Sequence, residues 1–207
     1  MKIGLLLGSF NPITIAHVSM AAAVINSKLC DKVLFVVAKH NPWKEENPAP
    51  FELRCQMIEA AIKPLGDAAE VCRIEENIEP PVYSYIPITI ALEKYAGNEI
   101  FLIAGSDTIQ KLPNWKNFKT HIKNKIGIIE ISRGANEVNL GNHATLPFSR
   151  LMTWDYTLSD ETINILAMQR LDVSSTMVRN MIKTDMIPYP YVTQEVYNII
   201  CINNLYK

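Results

Sequence analysis

Two stretches far apart in the chain carry residue types suited to gripping phosphate. They are Gly8-Ser9-Phe10-Asn11-Pro12-Ile13-Thr14-Ile15-Ala16-His17 and Val173-Ser174-Ser175-Thr176-Met177-Val178-Arg179. In the first, Gly8 permits a tight turn and close backbone approach. Pro12 stiffens the loop, and Thr14 and His17, three apart, share one face of the helix that begins there. An imidazole at a helix N-terminus can donate to a phosphate oxygen. In the second, Ser174, Ser175 and Thr176 are good N-cap types, and the first helical turn leaves backbone donors unpaired. Arg179 lies three residues beyond Thr176, so its guanidinium turns back toward the same end and completes a clamp of hydroxyls, N–H groups and a forked cation. Each stretch alone also fits a plainer reading: a strand–loop–helix joint with a satisfied histidine, and a helix cap with a surface arginine.

The elements that must position these stretches follow from hydrophobic patterning. Continuous apolar runs predict buried strands at 2–7, 32–37, 69–74, 99–104 and 125–131. Helical spacing predicts helices at 16–28, 51–62, 84–95, 174–183 and 191–201, with a loop at 133–147. Strands alternating with helices predict an α/β fold, a doubly wound (Rossmann-like) parallel sheet with helices on both faces and a small helical part from about 174. In the usual strand order the first and fourth strands are neighbours, and ligands sit outside their carboxyl ends. The loops leaving those strands are Gly8–His17 and Gly105–Asp107. Asp107 is an acceptor for a ribose hydroxyl or an adenine group there, or else the N-cap of the next helix. Trp115 could stack on a planar base or sit half-buried in the core. Trp43 and Lys44 lie on a loop bordering the crevice, and Arg133 ends the fifth strand. Tyr83, Tyr85 and Thr89 precede or open a helix near it.

Bulk properties bound the rest. A length of 207 residues suits one domain spanning 1–207, and 48% hydrophobic residues supply its core. A net charge of −1 provides no global field for nucleic acid or membranes, so anion binding must be local. Cys30, Cys55, Cys72 and Cys201 form no CxxC pair, excluding zinc spacing, and read as buried reduced thiols. No apolar run is long enough for a membrane span or a signal peptide, so a cytoplasmic protein is expected. Neither GxGxxG nor GxxxxGK[ST] is present, which speaks against a nicotinamide-dependent dehydrogenase and a P-loop enzyme.

Together the motifs are more specific than singly. Gly8 to His17 is similar to the GSF(N/D)PxTxxH motif, and Val173 to Arg179 to the ISSTxxR motif, of the nicotinamide/nicotinic acid mononucleotide adenylyltransferases in the HxGH nucleotidyltransferase superfamily. Gly105 to Trp115 resembles that family's GxDxxxxLxxW segment, Asn41-Pro42-Trp43-Lys44, one residue shorter, its NPxxK loop, and Ser132-Arg133-Gly134 its arginine after the fifth strand. The closing Asn204-Leu205-Tyr206 also agrees, and the motif order runs through nearly the whole chain.

The resemblance implies transfer of the adenylyl group of ATP to nicotinic acid or nicotinamide mononucleotide, releasing pyrophosphate, in NAD biosynthesis. It implies His17, Thr14 and Arg179 as the catalytic set. Gly8, Ser9, Phe10, His17, Lys44, Gly105, Asp107, Ser174, Ser175, Thr176 and Arg179 would bind ATP. Asn11, Lys44, Thr89, Trp115 and Arg133 would bind the mononucleotide. Mg2+ would travel with ATP, needing no protein metal site; neither nucleic acid nor membrane is implied as a partner, and the oligomeric state is left open. Rival readings are a phosphopantetheine adenylyltransferase or cytidylyltransferase of the same fold, and a non-catalytic nucleotide sensor.

Overall fold

The order of elements is set by a β/α alternation that begins with the first apolar run. The computed structural model describes residues 1–40, 48–133, 149–153, 162–168 and 173–207. Strand β1 is Lys2–Gly8, helix α1 Ile15–Asn26, β2 Lys32–Val37, α2 Phe51–Ile62, β3 Ala69–Cys72, α3 Tyr85–Lys94, β4 Glu99–Gly105, and α4 the single turn Ser106–Ile109. After short turns at Leu112–Asn114 and Phe118–Ile122 come β5 Gly127–Arg133, β6 Ser149–Thr153, β7 Thr162–Met168, α5 Ser175–Lys183 and α6 Gln194–Ile202.

Among the described residues the sheet has the order β3-β2-β1-β4-β5-β7-β6. Every neighbouring pair is parallel except β6 with β7. β1 and β4 pair directly, Leu5 opposite Leu102 and Leu6 opposite Ile103. The chain therefore reverses direction across the sheet at the expected switch point, and the loops after β1 and β4 open side by side.

The core is two-sided because strand side chains alternate. Leu6, Val33, Phe35, Val37, Ile103 and Ile129 face one layer, packed by Met20 and Val24 of α1, Cys55 and Ile58 of α2, Val178 of α5, and Val196 and Ile200 of α6. Leu5, Leu34, Val36, Leu102 and Ile128 face the other, packed by Ile88 and Ala91 of α3 with Ile109, Leu112, Phe118 and Ile122. Burying both faces is why these strands read as unbroken apolar runs.

Three expectations need adjusting. The sheet extends beyond the five expected strands: β7 adds a parallel strand, and β6, the edge, is antiparallel. A five-residue edge strand, Ser-Arg-Leu-Met-Thr, carries little patterning of its own and takes its form from pairing. The third strand stops at Cys72, where the chain turns through Arg73–Ile78. Cys201 is exposed, unlike Cys30, Cys55 and Cys72, which are buried; all four are free thiols. No described helix is long and apolar enough to cross a membrane.

Candidate active site

The crevice at the carboxyl ends of β1, β2, β3 and β4 is built from the first motif outward. Gly8 ends β1, and Phe10 folds back over it with positive φ (45°). A Cβ on Gly8 would stand 2.9 Å from the Phe10 ring, so only glycine lets that ring close down. Phe10 packs edge-on to His17, centroids 5.2 Å apart at 77°, and tilts against Phe35 of the core. Thr14 is the extended N-cap of α1, and its backbone N–H donates to Nδ1 of His17 at 3.1 Å. Thr14 Oγ1 lies 2.9 Å from the same nitrogen. A backbone N–H can only donate, so Nδ1 must present its lone pair and the ring's proton sits on Nε2. His17 thus takes the place a glutamate occupies in an ordinary capping box. The imidazole is thereby held with Nε2 as its donor position in this cap.

The second motif is brought directly onto the first. Ser174 caps α5, its hydroxyl accepting from the Met177 N–H at 3.1 Å. Ser175 Oγ donates to the carbonyl of Pro12 at 2.7 Å. Arg179, only 8% exposed, donates from Nη1 to the carbonyl of Asn11 at 2.8 Å and from Nη2 toward Thr176 Oγ1 at 3.3 Å. The two motifs are therefore one bonded unit, joined through the backbone of the Asn11-Pro12 turn.

Two adjoining cavities result. One, of about 310 Å³, is lined on the adenosine side expected from sequence by Gly105 and Asp107, and elsewhere by Trp115, Tyr83 and Glu75. The other, of about 230 Å³, is lined by Phe10, Asn11, Arg54, Ser175 and Arg179. Gly8, Ser9, His17, Ala38 and His40 border both. The imidazole thus stands at the junction, with a ring-sized space on one side and the second motif on the other. Gly105, not Asp107, is the N-cap of α4, leaving Asp107 exposed in its first turn.

Several expected site residues sit elsewhere or do other work. Thr89 does not line either cavity; its hydroxyl donates to the Tyr85 carbonyl one turn back at 2.8 Å, a common resting place for a helical threonine. Asn11 borders the second cavity, but its Oδ1 accepts from the Ala49 N–H at 3.0 Å and from the Tyr206 hydroxyl at 2.8 Å. Ser174 and Thr176 are exposed and border neither cavity, though Thr176 borders a shallower hollow beside Arg179 and Lys183. Arg133 is the last residue of β5, opposite Met168. Lys44, with the rest of Asn41–Trp43, lies outside the described residues.

Two residues were missed. Arg54 of α2 is 1% exposed and reaches under the first motif. Its Nη1 donates to the Ser9 and Ala38 carbonyls at 2.7 Å each, its Nε to the Ala49 carbonyl at 2.9 Å, and its Nη2 toward the Lys39 carbonyl at 3.4 Å. An arginine on a helix reads from sequence as a solvated residue; only its place among apolar neighbours hinted otherwise. Glu75, in the turn after β3, is 5% exposed and accepts from the Lys39 N–H at 2.9 Å. Burial pushes its carboxyl up to about 7, against the pull of that hydrogen bond and of the Arg54 charge.

The folded state holds the Glu75 proton more tightly than the unfolded chain, whose carboxyl titrates near its ordinary value of 4.5. Stability therefore falls as pH rises from about 4.5 to about 7 and stays lower above that. Glu75→Gln is expected to raise the melting temperature at pH 8 and to leave it nearly unchanged at pH 4.5, in paired thermal melts. An equal shift at both pH values would mean the carboxylate is not the cause.

Comparison with known proteins identifies the family. The cytidylyltransferase-like family model matches residues 5–181, and the chain belongs to that family. A probable nicotinate-nucleotide adenylyltransferase of Geobacter sulfurreducens is 30% identical over 190 residues, 87% of each chain. Another, of Flavobacterium johnsoniae, is 29% identical and covers 100% of both chains. Within the family, the chain groups with the nicotinate-nucleotide adenylyltransferases. The fold is shared with a Plasmodium falciparum nicotinic acid mononucleotide adenylyltransferase solved with NaAD, at a TM-score of 0.77 and 18% identity over 99% of this chain and 97% of that one.

Proposed function

We propose that the crevice joins ATP and nicotinic acid or nicotinamide mononucleotide to give the dinucleotide (NaAD or NAD) and pyrophosphate. The observation that carries this reading is the junction: His17 borders a cavity with Trp115 and Gly105 on one side and one with Ser175 and Arg179 on the other. A substrate with a triphosphate and two ring systems fits such a divided space.

The mononucleotide phosphate attacks the α-phosphorus of ATP in line, and the P–O bond to pyrophosphate breaks. No enzyme nucleophile is needed, so catalysis is positioning and charge stabilisation. His17 donates from Nε2 to the phosphate oxygens as charge grows on the leaving pyrophosphate, and Thr14 fixes the ring for that task. Backbone at Gly8, Ser9 and Phe10 lies along the triphosphate. Ser174, Ser175, Thr176 and Arg179 form the end of α5 that faces the β- and γ-phosphates, with Ser175 and Arg179 nearest the cavity. Gly105 and Asp107 take the adenosine, Trp115 stacks on the pyridine, and Lys44, Asn11 and Arg133 remain the candidates around the mononucleotide. Tyr83, which borders the cavity, stands nearer that ligand than Thr89, whose hydroxyl is turned onto its own helix. Magnesium enters as part of the substrate, its ligands phosphate oxygens and water. Among the described residues no three His, Cys, Asp or Glu side chains are gathered for a metal. A single catalytic domain acting in the cytoplasm completes the reading.

The test is product analysis by mass spectrometry with ATP and each mononucleotide in turn. A dinucleotide and pyrophosphate are expected. ATP consumption only with phosphopantetheine, or CTP used in place of ATP, would replace the reading with one of the same-fold rivals. ATP binding without pyrophosphate release would point to a sensor.

Trp115→Ala separates the two substrates. Stacking on an aromatic ring contributes about 1–3 kcal/mol per base, so the mononucleotide KM is expected to rise by roughly one to two orders of magnitude. The ATP KM should move far less. Equal losses for both would make Trp115 a structural residue.

A further inference from the structure

A buried carboxylate facing a cavity that must hold anions calls for an explanation. Glu75 borders the same cavity as Trp115, Tyr83, Ser84 and His40, on the side formed by the ends of β2 and β3 and away from Gly105 and Asp107. Its Oε2 accepts from the Lys39 N–H; among the described residues, no further hydrogen bond to its carboxyl is found. Arg54 lies close enough to lower its pKa but spends its own donors on backbone carbonyls. The site thus carries a desolvated acceptor that costs stability above neutral pH, an arrangement more often found where a ligand completes the hydrogen bonding.

The chemistry of the substrates narrows what can complete it. At pH 8, above the value of about 7 to which burial raises it, the carboxylate is ionised and only accepts, so it needs an N–H or O–H donor. Phosphate groups and the nicotinate carboxylate offer none there and would be repelled. On that reading the adenine amino group and the hydroxyls of the adenosine ribose belong to the Gly105–Asp107 side. With the acid mononucleotide, the remaining donors are the hydroxyls of its ribose. Resting on the reading of the crevice given above, we propose that Glu75 accepts a hydrogen bond from a ribose hydroxyl of the acceptor mononucleotide and so positions it for attack. Glu75 is a positioning residue on this account, since it touches the substrate away from the reacting atoms.

The experiment crosses the residue with the hydroxyls. At pH 8, wild type, Glu75→Gln and Glu75→Leu are each assayed with nicotinate mononucleotide, its 2′-deoxy and 3′-deoxy analogues and nicotinamide mononucleotide, and mononucleotide binding is measured separately by calorimetry. Glu75→Gln keeps an acceptor for the Lys39 N–H, so it guards against misfolding of the leucine variant. A hydrogen bond to a charged group is commonly worth roughly ten- to a hundredfold in affinity. Wild type is expected to lose that factor in kcat/KM and in affinity with one deoxy analogue, Glu75→Leu to lose a similar factor with the natural substrate, and Glu75→Gln to lose severalfold. The losses should not add: against the discriminated analogue the variants should match wild type. The ATP KM should stay within about twofold of wild type on the same reasoning, because the lost bond is not made to ATP.

Additive losses, or a rise in the ATP KM instead, would overturn the proposal while leaving the adenylyl-transfer reading in place. Loss of acid-over-amide discrimination in the variants, with the ribose analogues unaffected, would also overturn it and assign Glu75 to the pyridine substituent. Failure of wild type to form any dinucleotide would overturn both.

Discussion

His17→Ala is expected to lower turnover by on the order of 10²–10³ while the protein melts at nearly its original temperature. The size of the loss follows from how completely the ring is preorganised. The Thr14 N–H fixes which nitrogen carries the proton, and the edge of Phe10 fixes the plane of the ring. None of this has to be arranged during reaction, which is what makes a placed donor effective at developing charge. Thr14→Val removes the hydroxyl but keeps the backbone donor, so its loss should be much smaller than that of His17→Ala. Steady-state kinetics with saturating ATP and mononucleotide measure both. Near-normal turnover in His17→Ala would remove the imidazole from the mechanism.

Arg54→Ala is expected to be the most damaging substitution for stability. It strands the carbonyls of Ser9, Ala38 and Ala49, with that of Lys39 beside them, and leaves a void under the first motif. Comparable losses of buried charged networks cost about 3–5 kcal/mol. For a chain of this length that corresponds to a fall in melting temperature of roughly 6–20 °C. Arg54→Lys should recover only part of it, because an ammonium cannot meet several carbonyls from one plane. Because the Ser9 carbonyl belongs to the cavity wall, both variants should also raise the ATP KM at temperatures where they remain folded. Thermal melts that move by less than about 2 °C would mean the loop is held by other contacts.

Much of the frame was readable from residue order alone. The run Lys32-Val-Leu-Phe-Val-Val is β2 to the residue, and Phe51 to Ile62 is α2 to the residue, because apolar periodicity is strong and the flanking loops are polar or proline-rich. The adjacency of β1 and β4 followed from the rules for doubly wound sheets. The edge pair β6 and β7 was not readable, since a short edge strand is specified by its partner more than by its own residues. At the site, spacing was a good guide to which elements meet and a poor one to what each side chain does there. Thr89 looked available until its hydroxyl was seen turned onto its own helix, and Asn11 until its amide oxygen was found occupied by Ala49 and Tyr206. Arg54 and Glu75 escaped notice because burial of a charged residue leaves almost no trace in a single sequence.

The bonds from Ser175 to the Pro12 carbonyl and from Arg179 to the Asn11 carbonyl close loops of 163 and 168 positions. Contacts between such distant partners form late, after local helices and neighbouring strands have condensed. The joined motifs therefore exist only once both ends of the chain have come together: without α5 the Asn11-Pro12 turn would lack these two donors. ATP added during refolding should act only on the finished molecule, shifting the balance toward it by mass action and leaving earlier species untouched.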